Sequence, residues 1–164
     1  MFNHKPDGYR CPFCRNIRTG EFDHPLAIVH RDDDVLVKVN PKWRPNNPGA
    51  ALVIPIEHHE NLYDLPDRLA EPLLRATKRT ALAMKAAFGC DGVSTRQHNE
   101  PAGNQDVWHF HTHVLPRFDG DDLHLSDDDW AWADAEVIHA SAERLRAAWP
   151  TDPPEAWSLG ADRV

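Results

Sequence analysis

Apolar positions along this chain follow two periods. Leu26 to His30, Val35 to Val39 and Ala50 to Ile54 are short apolar runs, which predicts strands, the first two closed into a hairpin by the acidic turn Arg31-Asp32-Asp33-Asp34. From Pro66 to Phe88 the period changes. Leu69, Leu73, Leu74, Thr77, Ala81, Met84 and Phe88 recur at three and four residues, the mark of an amphipathic helix, and Gly89 is its stop. Strand character returns over Gly92 to Gln97 and is clearest over Val107 to Leu115, with Pro116 after it. A second helix is predicted over Asp134 to Trp149, burying Leu145, Ala148 and Trp149, and the Pro-containing tail beyond it is expected to be irregular. Asn40 to Gly49, with three Pro and three Asn, reads as a loop able to shape a pocket, and Asp119 to Asp122 reads as an acidic turn. Strands, one long helix, further strands and a late helix specify an α+β domain on a mainly antiparallel sheet.

At 164 residues the chain fits a single domain, so its motifs are expected to share one site. The hydrophobic fraction of 41% and charged fraction of 27% are those of a globular protein. No apolar run approaches the roughly 20 residues of a bilayer span, and the opening Met-Phe-Asn-His-Lys-Pro stretch has no signal-peptide core, so the chain reads as cytoplasmic, without a membrane partner. A net charge of −8 argues against nucleic acid as a partner, and a phosphate substrate would need a locally positive pocket. With three Cys, two of them only two residues apart, a cytoplasmic chain of this size is not expected to carry a disulfide framework. The Cys11 and Cys14 pair is then open to three readings: a redox motif, half of a zinc site, or two buried apolar residues. The redox reading ranks last, because no β-α-β pattern surrounds the pair. Zinc would need two further N or S ligands. Cys90, alone after the long helix, reads as a small apolar residue.

The densest chemistry lies in Trp108-His109-Phe110-His111-Thr112-His113-Val114-Leu115-Pro116-Arg117. In a strand His109, His111 and His113 line one face, while Trp108, Phe110, Thr112 and Val114 line the other. A helix would pair His109 with His113, but Phe, Thr and Val at the intervening positions favour the strand. Three aligned imidazoles are three groups whose charge can change near neutral pH. All three could also converge on one metal ion, a reading that leaves the rest of the segment unexplained.

His-x-His-x-His followed by two apolar residues resembles the signature of the histidine triad family of nucleotide hydrolases and transferases. The likeness continues through Cys11-Pro12-Phe13-Cys14, the Leu52-Val53-Ile54-Pro55 run with His58 after it, Gly92, Asn99, Gln105 and Pro116-Arg117, in family order. It covers about residues 9–118, leaving 119–164 as a C-terminal extension of the same domain. The resemblance implies an antiparallel sheet of about five strands carrying the long helix, in a homodimer. It also implies that His111 attacks the α-phosphorus of a small-molecule nucleotide to form a nucleotidyl-histidine intermediate. The substrate class is a dinucleoside polyphosphate or a nucleoside phosphoramidate, with water or inorganic phosphate as the second acceptor.

By the same resemblance His113 binds phosphate oxygens or helps protonate the leaving group, Gln105 donates to the phosphates, and Asn99 contributes similarly. Asn40 corresponds to the residue that binds the ribose hydroxyls, against a turn-forming role for an Asn before Pro. Branches that carry the Cys pair complete a structural zinc site with the residues matching His58 and His109, His59 being the rival of His58. The chain departs from the pattern at Ala50, where members commonly carry a histidine, and at Asn104, where a glycine is expected.

Overall fold

Asp32 closes the first hairpin. Its Oδ1 accepts the N–H groups of Asp34 at 3.0 Å and Val35 at 2.7 Å, while its own N–H donates to the Val35 carbonyl. The computed structural model describes residues 2–20, 27–123 and 130–151. Leu26, expected to open the first strand, and most of the tail after the last helix lie outside them. In chain order the elements are α1 (Pro12–Thr19), β1 (Ile28–Arg31), β2 (Val35–Val39), β3 (Lys42–Trp43), β4 (Ala51–Pro55), α2 (Ala70–Phe88), β5 (Gly92–Gln97), β6 (Thr112–Arg117), β7 (Ala131–Trp132) and α3 (Ala135–Ala147).

Five strands form one sheet in the order β1-β2-β4-β6-β5, antiparallel at every pairing. The expected α+β architecture is therefore the one observed. β3 and β7 form a separate two-stranded ribbon inside what the sequence presents as loop, because two residues are too few to display a period. The main core packs α2 and α3 against one sheet face, and Leu145 is fully buried with Ala148 and Trp149 packed beside it. A smaller cluster on the opposite face joins Leu36, Leu52 and Ile54 to Cys11 and Phe13 of the N-terminal arm.

Three expectations shift. The long helix begins at Ala70, after a 3-10 turn over Asp67–Leu69, and buries Leu73, Ala76, Thr80, Ala83 and Met84, whereas Leu74 is 71% exposed. Position 74 falls beside the stripe that the 3.6 period carries into the core. Helix α1 has no counterpart in the periodicity reading. It is assembled from end signals: Cys11 caps it by accepting the Cys14 N–H on Sγ, Pro12 opens it, and Gly20 stops it in the left-handed region at φ 69°. Finally, β6 spans Thr112–Arg117 rather than Val107–Leu115. Ladder pairing to β5 and β4 starts at Thr112, while upstream the chain bends, with the His109 N–H on the Val107 carbonyl and the Phe110 N–H on the His59 carbonyl. Pro116 is tolerated inside the strand because β4 pairs only with residues 112–114; the free side of Pro116 faces Asn47, whose amide donates to its carbonyl at 2.9 Å.

The acidic turn after β6 is a structural lock. Asp121, with its side chain 1% exposed, accepts Nε and Nη2 of Arg117 at 2.7 and 2.6 Å, the N–H groups of Phe118 and Leu123, and the Asn47 amide. The Arg117 bonds hold the Asp121 carboxyl well below the usual carboxylate range. Asp121→Ala strands a guanidinium and three further donors, so the expected loss is about 3 kcal/mol of stability, read by urea unfolding at pH 7. A carboxyl with a depressed folded pKa stabilises above its unfolded value of about 4. The gap between wild type and variant should therefore close as pH falls below that value; a gap independent of pH would remove the ion pair as its cause.

Candidate active site and metal centre

The sheet register sets the working surface. Lys38 of β2, Leu52 of β4, His113 of β6 and Arg96 of β5 stand opposite one another in successive pairs, so they share one row on the sheet face away from α2. His111 immediately precedes β6, and its ring centroid is 4.9 Å from that of His113. Phe110 and Val114 enter the core beneath the sheet. Phe110 and Val114 thus take the packing side as expected, whereas Trp108, expected with them, lies against His4 with its backbone N–H on the Tyr9 hydroxyl, and only the second half of the segment is strand.

His111 is 4% exposed. Its Nδ1 lies 2.8 Å from the His109 carbonyl oxygen, which can only accept, so Nδ1 carries the proton and Nε2 keeps the lone pair. Burial lowers the pKa of this ring and keeps it neutral, and Phe13 packs edge-on against it at 5.4 Å. His113 is pushed down to about 3 by burial and by His111, Arg96 and His98 around it, and its Nδ1 is buried without a hydrogen-bond partner among the described residues. His98, whose Nδ1 donates to the Gly103 carbonyl at 2.7 Å, sets its ring 5.7 Å from His113. Neither His98 nor Arg96 emerges from the motif; the only sequence cue to them is their place on or directly after the strand that precedes Asn99.

The loop before the histidines is tied by the predicted amides. Gln105, buried, donates from Nε2 to the carbonyls of Glu60 at 2.5 Å and Val107 at 3.2 Å and accepts the Glu100 N–H on Oε1. Asn99 accepts the Leu62 N–H and exchanges two bonds with Gln97. Asn104 occupies the left-handed region at φ 64°, which asparagine tolerates, so its replacement of glycine keeps the turn. Ala50 is buried and its carbonyl accepts the Asn40 N–H; no polar side chain stands there. Asn40 directly follows β2, two strands from β6, and its Oδ1 accepts the Lys42 N–H at 3.3 Å, the turn-forming contact.

The Cys pair meets two histidines. Cys11 Sγ lies 3.4 Å from His109 Nδ1, Cys14 Sγ lies 3.2 Å from His58 Nδ1 and 3.5 Å from His109 Nδ1, and the two Nδ1 atoms are 3.2 Å apart. A tetrahedral ion with sulfur at about 2.3 Å and nitrogen at about 2.0 Å places its ligand atoms roughly 3.3 to 3.8 Å from each other; these separations lie close to that range and all four donor atoms fall within 4.8 Å of one another, so the cluster can close on such an ion with a small adjustment. His109 Nε2 donates to the Pro55 carbonyl at 3.0 Å, which turns the Nδ1 lone pair toward the cluster. Burial and the adjacent Cys11 hold the Cys14 thiol up at about 11, and a cation there would favour the thiolate instead. His59 is turned away, its Nε2 against Glu57. Cys90 is buried in the main core.

The comparison with known proteins follows the same residues. The family model named HIT domain matches residues 21–120. The chain belongs to the HIT domain family. An uncharacterized HIT-like protein of Methanocaldococcus jannaschii is 34% identical over 111 residues, 68% of this chain and 81% of its own length. The crystal structure of a Hit-like protein from Bartonella henselae superposes with a TM-score of 0.74 at 33% identity, covering 85% of this chain and 96% of that one. A zinc-bound histidine triad family protein from Mycobacterium smegmatis gives 0.69 at 29% identity, covering 84% and 91%. The family includes enzymes: an adenylylsulfatase of Arabidopsis thaliana is 29% identical over 71% of this chain and 57% of its own length, and an adenosine 5'-monophosphoramidase of Saccharomyces cerevisiae 36% identical over 46% of each. Among the described residues no helix of this HIT domain protein is long and apolar enough to cross a membrane.

Proposed function

We propose that this HIT domain protein is a nucleotide hydrolase or transferase that cleaves at the α-phosphate through a nucleotidyl-histidine intermediate on His111. The observation that carries the reading is the bond from His111 Nδ1 to the His109 carbonyl, which leaves Nε2 of a buried neutral ring as the nucleophile. In the first displacement the Nε2 lone pair forms a bond to phosphorus, and the bond to the leaving oxygen or nitrogen breaks. The positive charge on the ring is shared through Nδ1–H with the carbonyl. In the second, water or inorganic phosphate attacks phosphorus and the P–N bond returns its electrons to Nε2. His113 contacts phosphate oxygens and relays a proton from solvent to the leaving oxygen or nitrogen in the first displacement, and the proton released by the attacking water returns to solvent by the same route in the second. Asn99 and Gln105 serve the phosphates and Asn40 the ribose; Gln105 reaches a phosphate only by exchanging one of its two carbonyl acceptors for a phosphate oxygen. The adenylylsulfatase and phosphoramidase among the relatives support bond cleavage at an adenylyl phosphorus. Dinucleoside polyphosphates and nucleoside phosphoramidates are the substrate classes, and the working state is a homodimer in the cytoplasm.

Zinc is the ion proposed for the Cys11, Cys14, His58 and His109 cluster, in a structural role, supported by the donor spacing and by the zinc-bound relative. When bound it neutralises the thiolates and fixes the N-terminal arm against the His109 backbone.

The covalent adduct is the test. Substrate labelled in its α-phosphate should transfer label to the protein in a rapid quench, with the acid-labile, base-stable behaviour of a phosphorus–nitrogen bond, and peptide mapping should place it within residues 108–117. Two in-line displacements retain configuration at a chiral phosphorus. Inversion during confirmed hydrolysis, or turnover without label, would overturn the reading, and bound nucleotide without turnover would identify a binding module.

A further inference from the structure

Arginines in this molecule are handled in two ways. Arg117 on β6 is matched to Asp121 by two bonds. Arg96, on the neighbouring strand β5 and directly opposite His113, has no such match among the described residues. Among the described residues its Nε is buried without a hydrogen-bond partner, and the influences on its charge are burial and a second cation, Arg44, both of which weaken its hold on the proton. The indole of Trp130 packs against both guanidiniums, 4.9 Å from that of Arg96 and 5.5 Å from that of Arg44. Arg44 is itself buried. A half-buried guanidinium held rigid on an aromatic ring, beside another cation and an imidazole kept neutral, is unfavourable for the free protein and complementary to an anion. It also supplies the positive pocket that a chain of net charge −8 needs for a phosphate substrate.

We infer that Arg96, backed by Trp130 and Arg44, is a subsite for the phosphate chain beyond the reacting phosphorus, which makes this enzyme selective for polyphosphate-bridged nucleotides over phosphoramidates. The inference rests on the nucleotide reading above and adds the substrate class to it. The row geometry supports the placement: the rings of His111 and His113 are adjacent, and Arg96 stands beside His113 on the next strand of the sheet. A planar fork there binds two oxygens of one phosphate. A phosphoramidate whose leaving group is an uncharged amine has nothing to offer it.

The experiment compares wild type with Arg96→Gln on diadenosine tetraphosphate and adenosine phosphoramidate, together with calorimetric binding of inorganic tripolyphosphate to each. Wild type should prefer diadenosine tetraphosphate in kcat/KM. Arg96→Gln should lose about 30-fold on that substrate, change by less than about threefold on the phosphoramidate, and bind tripolyphosphate at least about tenfold more weakly. Its melting temperature should be unchanged or raised, since a cation beside a cation has been removed; Arg96→Lys should recover part of the polyphosphate activity. Equal losses on both substrates with a lowered melting temperature would show a structural role and overturn the inference. Unchanged tripolyphosphate binding would overturn it as well. If wild type turns over neither substrate, the nucleotide reading falls, and the tripolyphosphate measurement alone decides whether Arg96 holds a phosphate chain.

Discussion

Replacing His111 by alanine is expected to abolish turnover while nucleotide still binds. Nε2 of that ring is the atom proposed to form the bond to phosphorus, and no general base can replace a missing covalent intermediate. The loss in kcat should reach at least about a thousandfold, roughly 4 kcal/mol of transition-state stabilisation. The proposed binding contacts lie mainly elsewhere, on His113, Asn99, Gln105 and Arg96, so affinity for a non-hydrolysable nucleotide should change by no more than about fivefold. The fold should survive, because the shortened side chain lies at the edge of the smaller cluster against Phe13 rather than in the main core. The measurements are single-turnover kinetics and equilibrium dialysis on the same preparation. A pure variant retaining more than a few per cent of wild-type activity would assign the nucleophile to another residue.

Loss of zinc is expected to remove both stability and activity. Wild type purified without chelator should contain about one zinc per chain, and Cys14→Ser should contain little. Structural zinc binding is worth about 10 kcal/mol or more in small domains, of which a folded domain with its own core loses only part when one ligand is removed. A drop of about 4 kcal/mol corresponds to a melting temperature lower by roughly 10 °C for a chain of this length. The arm should loosen first: Cys11 and Cys14 bracket the start of α1, and Phe13 between them packs against both His109 and His111. His109 joins the two functions, since its ring belongs to the cluster and its carbonyl accepts the His111 proton. Chelation of wild type should therefore reproduce the variant, which separates metal loss from a folding defect of the serine substitution. Protein free of zinc, or a melting temperature indifferent to chelator, would remove the ion from the structure.

The chemical segment was legible because its two signals are local. His109, His111 and His113 alternate with Phe110, Thr112 and Val114, and alternation in an extended chain sends neighbouring side chains to opposite sides. The Cys pair was legible as half of a ligand set for the same reason: two thiols separated by two residues can meet one ion at the start of a helix. Gln105 and Asn99 were legible as amides near the site, yet their hydrogen bonds to Glu60, Val107, Glu100 and Leu62 were not, since these join loops distant in sequence. Arg96 stayed invisible. One arginine on a half-exposed strand looks like any solvated residue until register places it opposite His113.

Sequence by itself determined the α+β class, the hairpin closed by Asp32, the long helix to Gly89, and the residues able to perform the chemistry, because period, turn chemistry and residue type act over a few neighbours. Tertiary structure decided where β6 begins, that α1 exists, that β3 and β7 pair across the 87 intervening positions of chain between Trp43 and Ala131, and which histidine joins the cysteines. Those outcomes depend on contacts between segments far apart in the chain. His58 rather than His59 reaches the cluster because the chain after β4 turns one ring toward Cys14 and gives the other's carbonyl to Phe110. No local preference distinguishes two adjacent histidines; the packing of the arm, the loop and β6 around one point does.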